Sequence, residues 1–379
     1  MAGKSEEEVF STARRKRLSL LKTPLSVTRY SPYTKTPRTG RSTILPKHCA
    51  RENVEVFTPN ASTFVNNHLS DQLKTPLRNG EVCEITNEIT SIVRKTWRVH
   101  CCSPFHKLCY KNLKQYGKLL SSSLQAETTK ESKFVEEHFS GKLVARFSVL
   151  KDLVLYNTDP RGLQIELVDN TSNSKIEKRL SLSTIVLCSI GRDIDENMSD
   201  DAFKTHFVSL PVCLAKGTVA LTRYVLSWLE RQFDCRITPM VFSPSELSWY
   251  SSLWAGTVPK ESEHLLELCY KVPTGIRGLR QITLSVNASD ARELWECMHP
   301  SDSDIFNEEE SVFFMHSLES HFYHHFKISL GSMSLSRIAN SLVFIGGEGR
   351  LKILHAGYVR HVLQQITQAA AEREILARL

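Results

Sequence analysis

Leu163, Ile165 and Leu167 alternate in the stretch "GLQIELV", and this alternation narrows sharply what the 379-residue chain can become. A period of two places all three side chains on one side of a strand. From about residue 85, stretches of this kind recur between segments of helical period. "KLVARFSVL", "DLVLY", "STIVLCSI" and "LRQITLSV" read as strands, the last with Ile282, Leu284 and Val286 on one side. "FDCRITPMVF" also reads as a strand, with Pro239 arguing for an edge or a bulge. "FKISLGSMSL", "SLVFI" and "RLKILH" complete the strand set, and "GGEG" (Gly346 to Gly349) forms the tight turn between the last two.

The helical segments carry apolar stripes. "EVCEITNEITSIVRKTW" places Ile85, Ile89 and Ile92/Val93 together, and "KLCYKNLKQYGKLLSSSL" does so with Leu108, Leu113, Tyr116 and Leu120. A third helix starts near Thr218, with Leu221, Val225, Trp228 and Leu229 inward, and "SDARELWECM" is a fourth, capped by Ser289. Another starts near Asn307, where Glu308, Glu309 and Glu310 suit the positive end of a helix dipole. The last begins near Tyr358, with Val359, Val362, Leu363 and Ile366 inward. The expectation is an α+β fold of mostly antiparallel twisted sheets flanked by helices. Its body falls in two parts, 85–245 and 246–379, behind an N-terminal tail over 1–84.

Charge separates tail from body. Residues 1–80 hold 14 Lys/Arg and 6 Asp/Glu, against 48 and 41 in the whole chain, so the body is near neutral and the tail strongly basic. The tail is rich in Ser, Thr, Pro, Lys and Arg without sustained periodicity, a composition that predicts disorder. Within it, Arg14, Arg15, Lys16 and Arg17 form a compact basic run that fits either a nuclear import signal or a solvated charge cluster. Five of its six prolines follow Ser or Thr, which makes Thr23, Ser31, Thr36, Thr58 and Thr75 candidate phosphoacceptors. "TPLR" at Thr75 has the pattern preferred by proline-directed cell-cycle kinases.

Other function classes find little support. No apolar run approaches the ~20 residues of a membrane span, and "MAGKSEEEVF" lacks the pattern of a secretory leader. The ten cysteines include no C-x-x-C, which fits a reducing compartment. The stretch "HFYHHFK" raises the question of a metal site, because His321 and His325 are one helical turn apart. No third ligand stands at a recognisable spacing, so a helix flank is the expectation. Nucleotide-binding glycine signatures and G-x-S-x-G are absent. "GIRG" leads into a strand rather than joining two helices, and Trp249 and Trp254 read as core. Neither an enzyme nor a cofactor is expected.

Five stretches in order carry a resemblance. They are "KTWRVHCCSPFHKLCYKNLKQYGKLL", "LPVCLAKG", "FDCRITPMVFSPSELSWYSSLW", "DARELWECMH", and "SHFYHHFKISL" with the downstream "KILHAGYV". Over about 94 to 370 the chain resembles the centromere protein L family. The resemblance implies a nuclear, non-catalytic scaffold at the centromere and kinetochore that pairs with centromere protein N. That partner recognises the nucleosome containing the centromeric histone H3 variant. Centromere protein C and the H-I-K-M group are the implied neighbours. The resemblance also implies a two-part α+β fold related to a bacterial recombination-associated DNA-binding protein, and a basic groove that tracks DNA together with the partner.

On physical grounds the C-terminal sheet, together with the last helix, suggests the partner surface, since an open sheet edge accepts a partner's strand. Phe326, Ile328 and Leu330 in "FKISL", with Leu351 and Ile353 in "RLKILH", are the candidate partner-binding residues, and they read equally as inner core. An autonomous nuclear DNA-binding protein, using the basic tail and a groove of the body, is the alternative.

Overall fold

Helix α1 spans only Asn87–Ile92, with Thr86 Oγ1 accepting from Ile89 N, and Arg94 at φ 58 turns the chain out of it. Strand β1 then begins at Trp97 (Trp97–Cys102). "TWRVH" alternates buried and exposed residues, so the helical reading of "EVCEITNEITSIVRKTW" holds for Asn87–Ile92 and fails at its end, while Glu81 to Ile85 lie outside the described residues. These are the first elements in a computed structural model that describes residues 86–128, 143–169, 181–191, 206–258, 264–276, 278–299 and 306–376. All of them belong to one compact unit, Asn66–Leu379. The expectations for the tail 1–84, Arg14–Arg17 and the five Ser/Thr-Pro positions among them, lie outside the described residues.

The chain continues through β2 (Phe105–His106), a 3-10 turn at Tyr110–Asn112 and α2 (Leu113–Thr128). Next come β3 (Leu143–Leu150), β4 (Gly162–Asp169), β5 (Ser181–Cys188), β6 (Phe207–Val208) and β7 (Val212–Gly217). Then α3 (Val219–Phe233), β8 (Ile237–Pro239), α4 (Pro244–Ala255), β9 (Leu265–Lys271) and β10 (Gln281–Asn287) follow. The last elements are α5 (Ala288–Met298), α6 (Glu308–Phe326), β11 (Ser334–Ala339), β12 (Val343–Gly346), β13 (Arg350–Ile353) and α7 (Val359–Leu376).

Eleven strands form one antiparallel sheet in the order β10-β9-β11-β12-β13-β1-β7-β5-β4-β3, with β8 also paired to β1, and β2 pairs separately with β6. Segments 85–245 and 246–379 therefore meet along the β1–β13 ladder, Trp97 opposite Leu351. The register aligns a row of buried side chains across the strands. Leu284, Leu268, Ile338, Ile345, Leu351 and Trp97 stand side by side, and Val99, Leu214 and Val186 continue the row. Helices α1, α4, α5, α6 and α7 cover it and share its core. Burying each such aliphatic side chain contributes about 1.5–3 kcal/mol relative to exposure. On the opposite face, Leu163, Ile165, Leu167, Ile185, Leu187, Cys213 and Ala215 pack under α2 and α3, in a second cluster to which β9–β13 contribute nothing.

Three local expectations are corrected. "DLVLY" is not a strand: it bends, because the Asp159 carboxylate accepts from the backbone N–H of Leu155, Tyr156 and Gly191. Ser289 lies inside α5, whose N-cap is Asn287. "FKISL" is not extended either. Phe326 closes α6, Lys327 takes the left-handed C-cap at φ 57, Leu330–Ser332 form a 3-10 turn, and the strand waits until Ser334.

Candidate interaction surfaces

The five candidate partner-binding residues divide cleanly. Leu330, Leu351 and Ile353 are fully buried and belong to the core, whereas Phe326 is 53% and Ile328 39% exposed. Strands β12 and β13 lie inside the sheet, so neither offers an open edge.

Among the described residues, the outer strands are β10 and β3. Proteins guard such edges with charges, prolines or bulges, because unpaired backbone N–H and C=O groups recruit strands. Strand β3 carries the exposed Arg146 near its middle. Strand β10, "QITLSVN", has neither charge nor proline and pairs with β9 over its whole length without a bulge. Its edge is unguarded. Sequence reading recognised the strand but not its position, which depends on pairings of high sequence separation.

A second surface is the face of the second half of the sheet that no described helix covers. Arg98 and Arg350 are direct neighbours across β1 and β13, while Lys352 faces Phe344, and Arg337 pairs across from Gly346. The Arg337 guanidinium sits 6.0 Å from the Phe344 ring. Glu348 pairs with Arg350 at 3.3 Å, but both are exposed and the pair is worth little. These cations were legible in the sequence: "RLKI" and "WRV" set a cation between apolar residues with period two. Near-neutral net charge hid the fact that they share a face.

The chemistry of isolated groups is limited. His321, His324 and His325 are exposed on α6, with the His321 and His325 rings 4.6 Å apart. Burial, then the neighbouring imidazoles of His325 and His324, hold His321 below its ordinary value. Among the described residues no group of three His, Cys, Asp or Glu side chains stands in metal-holding geometry. Cys213 is drawn down by hydrogen bonds from Cys102 and His100, while burial pushes Cys102 up. Both thiols are sealed between the sheet and its helices, so no substrate can reach them. A surface hollow lined by Ser289, Arg292, Glu293 and Glu296 measures about 160 Å³, well below the ~300–1,000 Å³ of small-molecule sites. Trp249 and Trp254 lie in or against the core. No described helix is long and apolar enough to cross a membrane.

One wide sheet that offers, among the described residues, an open edge and a cationic face has the geometry of the interaction-scaffold class. Comparison with known proteins narrows this further. The family model for centromere protein L matches residues 91–371. Centromere protein L of Gallus gallus is 30% identical over 281 residues, covering 74% of this chain and 79% of its own length. The Homo sapiens protein of the same name is 28% identical over 75% of this chain and 80% of its own. The inner kinetochore subunit fta1 of Schizosaccharomyces pombe is 22% identical, over 68% of this chain and 88% of its own. The chain belongs to the centromere protein L family. It is a structural, non-catalytic protein with a kinetochore role, in the nucleus at the centromere.

Proposed function

We propose that the chain is an inner-kinetochore scaffold that pairs with centromere protein N, helping to assemble the kinetochore on centromeric chromatin and to support chromosome segregation. The observation that carries this reading is the uncharged, proline-free outer edge of β10 in a chain of this family. A partner strand added there would extend the sheet through backbone hydrogen bonds. Segment 246–379 is then the partner-binding half and 85–245 the half that braces it. Centromere protein C and the H-I-K-M group are further proposed neighbours. Arg14–Arg17 serve nuclear import in this reading, and Thr23, Ser31, Thr36, Thr58 and Thr75 accept phosphate.

Deleting the C-terminal half is a poor test, because β13 supports β1. A pair of point changes is better. Thr283→Lys with Ser285→Lys adds charge to the edge strand and leaves Leu284 in the core. On size exclusion the intact chain should co-elute with centromere protein N and the double variant should not. Co-elution of a folded double variant would reject the edge as the pairing site.

A second reading is favoured by the cationic face: duplex DNA tracks along Arg98, Arg337, Arg350 and Lys352, either by this chain alone or jointly with the partner. In an electrophoretic shift across a salt series, reversing Arg98 and Lys352 to Glu should lower affinity uniformly across sequences. It should also flatten the log–log salt slope by about 2, one phosphate for each lost cation. An unchanged slope rejects the reading.

A further inference from the structure

Helix α6 is apolar on two sides. Ser311, Phe314, Met315, Leu318 and Phe322 are buried against the body, yet Val312, Phe313 and Tyr323 are 63%, 57% and 51% exposed. A helix covered on one side ordinarily turns polar residues outward, so three large apolar side chains on the outer side call for a cover. At about 100° per residue, Glu309, Val312, Phe313, His316, Ser320, Tyr323 and His324 share roughly a third of the helix circumference. All of them are exposed. Lys327, the C-cap, extends the row, because its ammonium lies 5.7 Å from the centre of the Tyr323 ring. One element carries the whole row, so it is one continuous surface, about 28 Å long over Glu308–Phe326.

The row is symmetric in a way that selects its occupant. Leu318 is the midpoint: Glu309 and Lys327 lie nine residues to either side, Val312 and His324 six, Phe313 and Tyr323 five, and His316 and Ser320 two. When two identical helices pair antiparallel, residues equidistant from the midpoint stand at the same level, and each couple meets twice, once on either side of the two-fold axis. Glu309 of one copy then faces Lys327 of the other at both ends of the pair. Phe313 packs beside Tyr323 in the layers between, and His316 meets Ser320 near the axis. Parallel pairing would set Glu309 on Glu309 and Lys327 on Lys327, like against like. A different protein would match this face by carrying the same pattern reversed, which the chain itself already supplies. Nucleic acid fits poorly, since Glu308 and Glu309 turn phosphates away from one end.

We propose that the outer side of α6 is a self-pairing surface, through which two copies of this chain join their α6 helices antiparallel about a two-fold axis at the level of Leu318. The pairing uses no residue of β10. A single helix pair is small for a stable dimer, so the affinity is modest, with Kd on the order of 10–100 μM.

Sedimentation velocity of the full chain, from ~2 to ~300 μM, provides the test. Wild type should pass from monomer to dimer across this range. Phe313→Asp should weaken association at least ~10-fold, as loss of an aromatic anchor does. Glu309→Lys and Lys327→Glu should each weaken it ~10-fold, because like charges then meet twice in the pair. An equimolar mixture of these two variants should regain wild-type dimerisation, since opposite charges face each other again at both ends. Thr283→Lys with Ser285→Lys, on the β10 edge, should dimerise as wild type does. The three α6 positions are exposed, and thermal melts check that each variant folds. The proposal is overturned by a chain that stays monomeric at ~300 μM, by an undiminished dimer in Phe313→Asp, by a mixture no better than either charge variant alone, or by loss of the dimer in the β10 variant.

Discussion

His361 illustrates how a single side chain can tie stability to pH. It lies on α7 with Nε2 buried and unpaired, and burial pulls its imidazole down to about 4. The unfolded chain takes up that proton near pH 6.5 and the folded chain only near 4, so stability is full above 6.5 and declines as pH falls through this window. The contribution lost by pH 5 is on the order of 2 kcal/mol. Urea titrations at pH 7 and pH 5 should show that loss, and His361→Gln should reduce it. An unchanged pH dependence in the variant would contradict the assignment. Sequence reading placed the inward residues of α7 correctly but gave no sign of this histidine, because burial on a helix flank depends on what packs against it. Gly349 was more legible. The turn "GGEG" demanded a glycine, and at φ +79 a Cβ there would strike the Met240 carbonyl.

At the scale of elements, local chemistry was readable where it acts within a few residues. Asn307 Oδ1 accepts from Glu310 N at 2.8 Å, and Glu310 Oε2 accepts from Asn307 N at 3.0 Å, a reciprocal cap announced by the sequence N-E-E-E. Asn307→Ala should cost about 1 kcal/mol in chemical denaturation, and Asn307→Ser should recover most of it. No loss in the alanine variant would mean that the cap does not anchor α6. Where elements end was harder to read. The apolar pattern of "FKISL" suits a strand, but Phe326 is also the last residue of a helical stripe, and the left-handed Lys327 resolves the conflict. "DLVLY" failed for a related reason, since the Asp159 carboxylate competes for the backbone donors a strand would use.

The whole molecule depends on pairings that no local pattern specifies. The α+β class and the antiparallel bias were legible, whereas strand order was not, because β1 joins β7, β8 and β13 from distant parts of the chain. Helix α7 shares a core with both halves, and Arg373 on it forms an ion pair with Glu246 of α4. Calorimetry should therefore give one cooperative transition for the body, and two separate transitions would show that the halves fold independently. The account's central claim is that the chain works by lending an open strand edge to a partner. Amide hydrogen exchange on the intact chain, alone and bound to centromere protein N, tests it most directly. The account predicts that the alternate amides of Gln281–Asn287 that point away from β9 exchange quickly in the free protein and become protected in the complex, with β3 unchanged. A stable complex that leaves the β10 amides exchanging as before would contradict it.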